Sequence, residues 1–151
     1  MDRRAAHRLR YARISPPGQL YLLTTVTRQR IPMFAELLPA RLLISQLHHA
    51  QEQQMAKSLA WVVMPDHLHW LVELQNAPLD SLMRQVKCRT TQLINQKYQL
   101  HRPLWQKGYY DRAVRREDDI KTIARYIVAN PLRAGRVRPI CEYSHWDAVW
   151  L

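Results

Sequence analysis

The sequence contains no run of about eighteen apolar residues, so it offers no stretch able to cross a bilayer as a helix. Its Arg-rich opening, with Arg3, Arg4, Arg8, Arg10 and Arg13, is not followed by an apolar signal core. Both absences predict a soluble, cytoplasmic protein without a membrane partner. Cysteine is nearly missing as well. Cys88 and Cys141 stand far apart with no CxxC spacing, which supports neither a disulfide framework nor a thiolate zinc site and makes reduced, structural thiols the expectation. No internal repeat or low-complexity tract interrupts the chain. At 151 residues and 47% hydrophobic content it can bury one core but hardly two, so one domain and one site are expected. Acidic residues are the last scarcity: 12 Asp+Glu face 23 Lys+Arg, for a net charge of +11 and a pI near 10.3. That balance predicts a polyanionic partner, with a merely solvated basic surface as the bland alternative.

Most of the basic residues lie between Arg84 and Arg138, interleaved with Tyr98, Trp105, Tyr109, Tyr110 and Tyr126. Cations mixed with aromatics suit a groove that tracks phosphates and stacks bases. The expected nucleic-acid contacts are Arg84, Lys87, Lys107, Arg112, Arg115 and Arg125, with Arg3 and Arg4 on a basic arm. Charge alone does not choose between DNA and RNA.

The arm, residues 1–18, ends in Ser15-Pro16-Pro17-Gly18, a stretch hostile to helix and strand interiors. Ordered structure is expected from Gln19. Leu20 to Thr27 is rich in aromatic and β-branched residues and reads as a strand, followed by a polar Arg28-Gln29-Arg30 turn. Phe34 to about Met55 reads as a helix, with Leu37, Leu38, Leu42, Ile44 and Leu47 as its apolar positions. Leu59–Met64 and His67–Leu74 read as a hairpin around Pro65-Asp66, with Leu68, Trp70, Val72 and Leu74 on one face. A second helix begins at Leu79, its stripe Leu79, Leu82, Val86 and Leu93 opposed by Arg84, Lys87, Thr91 and Asn95. Tyr109–Arg115 reads as a fourth strand. Glu117-Asp118-Asp119 opens a third helix, where the dipole favours acids, and Pro131 ends it. The order predicts an α+β fold: a ferredoxin-like βαββαβ antiparallel sheet with an added C-terminal helix. The domain is expected to run from 19 to 138, with a tail over 139–151.

His67 and His69 are one residue apart on a strand, so both imidazoles leave the same face while Leu68 enters the opposite layer. Two neutral nitrogens can then meet one divalent ion, although a His-x-His pair alone is more often a surface or core feature. On the third helix, Tyr126 and Asn130 are four residues apart and share a face. Asn130 can add a side-chain oxygen to the histidines, a mixed set compatible with Mg²⁺ or Mn²⁺. Tyr126 is then the candidate nucleophile, activated by the ion and by cations such as Arg115, Lys121 or Arg125. Each residue also has an ordinary reading: Tyr126 as a border residue beside Ile123 and Ile127, and Asn130 as a helix-ending residue before proline. Tyr109 and Tyr110 are rival tyrosines, preferred here as sheet or base-stacking residues because neither has a ligand partner one helical turn away.

The segment Trp61-Val62-Val63-Met64-Pro65-Asp66-His67-Leu68-His69 resembles the His-hydrophobe-His motif of the HUH endonuclease superfamily, in particular its single-tyrosine IS200/IS605-like transposases. Trp105 to Arg112 and Tyr126 to Gly135 look like the branch tied to repetitive extragenic palindromes (REP), and Gly18 to Thr24 is similar to that branch's opening. The resemblance spans about Gly18 to Val137. It implies that His67, His69 and Asn130 hold the metal and that Tyr126 is the catalytic residue. It further implies cleavage of single-stranded DNA at palindromic hairpins through a 5′-phosphotyrosine, by a monomer or homodimer working at the nucleoid. The asparagine before Pro131 departs from the glutamine usual in the insertion-sequence branch, which favours the palindrome-associated one. Three alternatives stay open: an autonomous insertion-sequence transposase, a metal-dependent nuclease using water, and a non-catalytic nucleic-acid-binding module on the same fold.

Overall fold

A computed structural model describes residues 17–115, 117–129 and 145–148 of the chain. The elements are β1 (Leu20–Val26), α1 (Leu37–Glu52), β2 (Ala56–Met64), β3 (His67–Leu74), α2 (Leu79–Tyr98), β4 (Tyr110–Val114), α3 (Glu117–Val128) and β5 (Trp146–Ala148). Two 3-10 turns, Arg28–Arg30 and Met33–Ala35, link β1 to α1. The sheet order is β4-β1-β3-β2-β5, and every pairing is antiparallel. Its first four strands have the ferredoxin-like order expected from the sequence. β5 comes from the segment expected to be a tail, and it extends the sheet beyond β2.

Alternation divides the strands between two cores. Tyr21, Leu23, Trp61, Val63, Leu68, Trp70, Val72 and Leu74 face α1 and α2. Val62, Met64, Leu71 and Val114 face α3, which contributes Ile120, Ala124, Ile127 and Val128. The sheet is therefore covered on both faces, which explains the near-continuous apolar run at the end of β2. Trp70 is fully buried, and its indole Nε1–H donates to Ser58 Oγ at 2.8 Å, so the ring's one polar group is not stranded.

The first helix is shorter than expected and turned differently. Phe34 belongs to a 3-10 turn, Leu37 and Leu38 are exposed, and the buried stripe is Pro39, Ala40, Leu43, Gln46, Leu47 and Ala50. Spacing by three and four is satisfied by either set, and the small Ala40 and Ala50 let the helix approach the sheet closely. In α2 the buried residue of the last turns is Ile94, with Leu93 half-buried beside it.

With three glycines in the chain, two helices end on left-handed glutamines. After α1, Gln54 has φ 56°, Gln54 N donates to Gln51 O and Met55 N to Ala50 O, both at 3.0 Å. After α2, Gln99 has φ 53° and Leu100 N donates to Asn95 O at 2.9 Å. These are Schellman-type endings, in which glycine is the usual residue because it lacks a Cβ.

Candidate metal and tyrosine site

β3 is the central strand, paired with β1 on one side and β2 on the other. The register places Thr24, His69 and Val62 in one row and Val26, His67 and Met64 in the next. Directly opposed residues share a face, so both imidazoles lie on the face that α3 covers. His67 and His69 are half-buried, and their ring centroids are 4.8 Å apart at an interplanar angle of 77°.

Each Nδ1 already has a partner. His67 Nδ1 lies 2.7 Å from Asp66 Oδ1. An ionised carboxylate only accepts, so in the neutral imidazole the proton is on Nδ1 and Nε2 carries the lone pair. His69 Nδ1 lies 2.9 Å from the Thr24 hydroxyl, which can accept from it and leave Nε2 as the donor atom for an ion. Burial pushes the Asp66 carboxyl up, but the hydrogen bonds from His67 and Arg30, with the positive charge of Arg30, outweigh it and hold the carboxyl below its ordinary value. Arg30 reaches the other carboxylate oxygen, Nη1 to Oδ2 at 3.2 Å. Two oriented imidazoles fit a divalent ion. Among the described residues no third His, Cys, Asp or Glu joins them, and Asn130 lies outside the described residues.

Tyr126 is on α3, over the same sheet face. Ile127 and Ala124 anchor the helix to the sheet, while Tyr126 itself is 56% exposed. Arg125 and Lys121 are exposed on the same helix. The rival tyrosines part company. The Tyr109 hydroxyl donates to Asp80 at the start of α2, on the opposite layer. Tyr110 pairs with Thr24 and so stands in the same row as His69, one strand further away.

The cations expected at nucleic acid are also divided. Arg112 is exposed and pairs with Leu22, so it stands on the α3 face, with exposed Arg115 following β4. Arg84 is exposed on α2, in the layer behind the sheet. Lys87 donates from Nζ to the carbonyls of Gln106 at 3.0 Å and Gly108 at 2.6 Å, tying down the loop that precedes β4. That loop is stitched to the histidine end of β1 by Gln106 N to Val26 O and a bridge between Thr27 and Trp105. Exposed Lys107 is thereby brought to that end. Arg3 and Arg4 lie outside the described residues. Asp66, Thr24 and Arg30 were not singled out from sequence. Asp66 had a signal, its place directly before His67, whereas Thr24 becomes a partner only through strand register.

The structure thus combines a ferredoxin-like sheet covered by helices on both faces, a His-x-His pair on its central strand and an exposed tyrosine on the helix over the histidine face. The chain belongs to the family described as "Transposase IS200 like", whose profile matches residues 18–130. The resemblance read from the motifs is thus borne out. The chain is 28% identical over 86 residues to the REP-associated tyrosine transposase of Escherichia coli K12, an alignment covering 56% of this chain and about half, 49%, of that relative. Among solved structures it is similar to a REP-associated tyrosine transposase bound to a REP hairpin, with a TM-score of 0.75 and 21% identity over 89% of this chain and 79% of the other. It also resembles a putative transposase of Deinococcus radiodurans R1, with a TM-score of 0.55 and 21% identity over 76% and 95%. At these identities the structural likeness establishes the fold. No helix among the described residues is long and apolar enough to cross a membrane.

Proposed function

We propose that the chain is a metal-dependent endonuclease and strand transferase for single-stranded DNA, acting on REP-type palindromic hairpins through a 5′-phosphotyrosine on Tyr126. The observation that carries this reading is the pair of imidazoles with both Nδ1 atoms engaged by Asp66 and Thr24, on the sheet face covered by the tyrosine helix. The hairpin substrate is supported by the names of the two REP-associated relatives, and the charge of +11 suits it. His67 and His69, joined by Asn130, would hold Mg²⁺ or Mn²⁺, which supplies Lewis-acid polarisation of the scissile phosphate.

The chain's own residues do the rest. Asp66 and Thr24 hold the imidazoles in the tautomer that presents Nε2. The Tyr126 oxygen attacks phosphorus as its phenol proton is lost to solvent. The P–O3′ bond breaks, and the leaving oxygen takes up a proton to become a free 3′-hydroxyl. One phosphodiester is exchanged for another, so attack by a 3′-hydroxyl on the phosphotyrosine reverses the step and joins strands. Arg112, Arg115 and Arg125, on or beside the α3 side of the sheet, suit the flanking phosphates. Such a substrate places the work in the cytoplasm, at the nucleoid.

The test is incubation with Mn²⁺ or Mg²⁺ and a labelled single-stranded hairpin, comparing wild type with Tyr126→Phe. A metal-dependent covalent adduct that disappears in the variant is expected. Cleavage without an adduct would point to water as the nucleophile. An adduct surviving in Tyr126→Phe but lost in Tyr110→Phe would transfer the role to the tyrosine that shares the His69 row.

A further inference from the structure

We propose that the Arg28–Arg30 turn is a phosphate-binding element beside the histidine pair, with Arg30 as its contacting side chain. The inference rests on the reading of DNA as the substrate and concerns cations outside the Arg84–Arg138 stretch.

Position comes first. The turn follows Val26, the residue paired with His67, after the single residue Thr27. Arg28, Gln29 and Arg30 are all exposed there. Backbone geometry is the second observation. Gln29 and Arg30 are consecutive non-glycine residues in the left-handed region, with φ 57° and 51°. Such conformations persist only where the surroundings over-determine them, and they gather at binding sites.

Here the surroundings do over-determine them. Thr27 donates from both its N–H and its hydroxyl to Asp66 O, at 2.8 and 3.1 Å, and the same hydroxyl lies 2.8 Å from Ile31 O. Arg28 N donates to Leu104 O at 2.9 Å, and Arg30 N to Thr27 O at 3.1 Å. The turn is thus pinned to the histidine hairpin on one side and to the Lys107 loop on the other.

The third observation is how the guanidinium is held. Arg30 gives Nη1 to Asp66 Oδ2 while its side chain remains 64% exposed. A guanidinium has five N–H donors in a planar fork, and a bond at Nη1 leaves the far edge directed to solvent, the geometry that accepts a phosphate. As a stabilising device the pair is poorly placed, because exposed ion pairs contribute little. A cation on a strained turn, oriented by the carboxylate that also orients His67, is better explained by an anion that arrives at the histidines.

The experiment measures fluorescence anisotropy of a labelled hairpin with a single-stranded flank, across a salt series, for wild type, Arg30→Gln and Arg30→Lys. Mn²⁺ affinity of the DNA-free proteins is measured in parallel. Arg30→Gln should weaken DNA binding about tenfold and reduce the magnitude of the log–log salt slope by about 1. Arg30→Lys should restore the slope but only part of the affinity, because the planar fork is lost. Mn²⁺ affinity should stay within about threefold of wild type in both, since Asp66 and His67 keep their bond. An unchanged slope and affinity in Arg30→Gln would overturn the inference, as would a loss of Mn²⁺ affinity equal to the loss of DNA affinity. The slope reports contact without requiring cleavage, so its change supports the inference even if no tyrosine adduct forms. Wild-type protein without measurable DNA affinity would overturn it together with the parent reading.

Discussion

Removing the partners of the two histidines should weaken metal binding by amounts set by the chemistry of each bond. His67 is held by a charged acceptor at 2.7 Å. Asp66→Asn keeps an oxygen able to accept the Nδ1–H but removes the negative charge that raises the basicity of Nε2. Asp66→Ala removes both. Outer-shell partners of metal-bound histidines are typically worth about 10- to 100-fold in affinity, so the asparagine variant should fall near the lower bound and the alanine variant near the upper. His69 is held by a neutral hydroxyl at 2.9 Å. A neutral hydrogen bond contributes about 0.5–1.5 kcal/mol, and Thr24→Val, which preserves side-chain volume, should cost roughly 2- to 10-fold. Calorimetric titration of Mn²⁺ into each protein, checked by the paramagnetic resonance signal of unbound Mn²⁺, measures all three. The expected ranking of loss is Asp66→Ala, then Asp66→Asn, then Thr24→Val. If Asp66→Ala binds Mn²⁺ within twofold of wild type while His67→Ala does not bind, the orienting role assigned to Asp66 is wrong. If His67→Ala also binds normally, the ion is held elsewhere.

Three further perturbations follow from other parts of the fold. Burial, with the positive charge of Arg41, holds the His145 imidazole below its ordinary value. The unfolded chain therefore binds that proton more readily: the stability contribution is fully present above about pH 6.5 and declines as the pH falls towards the lowered value. His145→Gln should flatten the loss of thermal stability on acidification below pH 6.5, as read by melting curves. Gln54→Gly and Gln99→Gly should each stabilise by about 0.5–1 kcal/mol, because glycine adopts the left-handed ending without the Cβ penalty. Each should raise Tm by roughly 1–4 °C, and an unchanged or lower Tm would count against the strain assigned to them. Lys87→Met leaves the carbonyls of Gln106 and Gly108 without their charged donor. A loss of about 2 kcal/mol is expected in urea unfolding, with faster amide exchange over residues 104–108.

The strands were legible in the sequence because alternation carries most of their pattern: Leu68, Trp70, Val72 and Leu74 fall on one face, and His67 and His69 on the other. The helix faces were less so. In α1 nearly every turn carries a leucine, so periodicity alone could not tell that Leu37 and Leu38 point outwards and that Ala40 and Leu43 point in. The His-x-His motif could be read because both histidines lie within three residues. Its support could not, since Thr24 meets His69 only through the β1–β3 register, 45 positions apart in the chain. Lys87 shows the limit of reading cations by type. A lysine on a polar helix face suggests phosphate, whereas its ammonium is engaged by two backbone carbonyls 19 and 21 residues away.

The histidines sit on the central strand, paired with β1 on one side and β2 on the other. The orientation of the pair, set by Thr24 across the β1–β3 register, does not exist in the unfolded chain. An ion that binds it is therefore linked to unfolding of the whole domain, and at about a hundred times its dissociation constant it should add about 2.7 kcal/mol. The concentration of free divalent metal would then act on this protein as a thermostat setting, raising the temperature at which the entire sheet comes apart by roughly 5–10 °C.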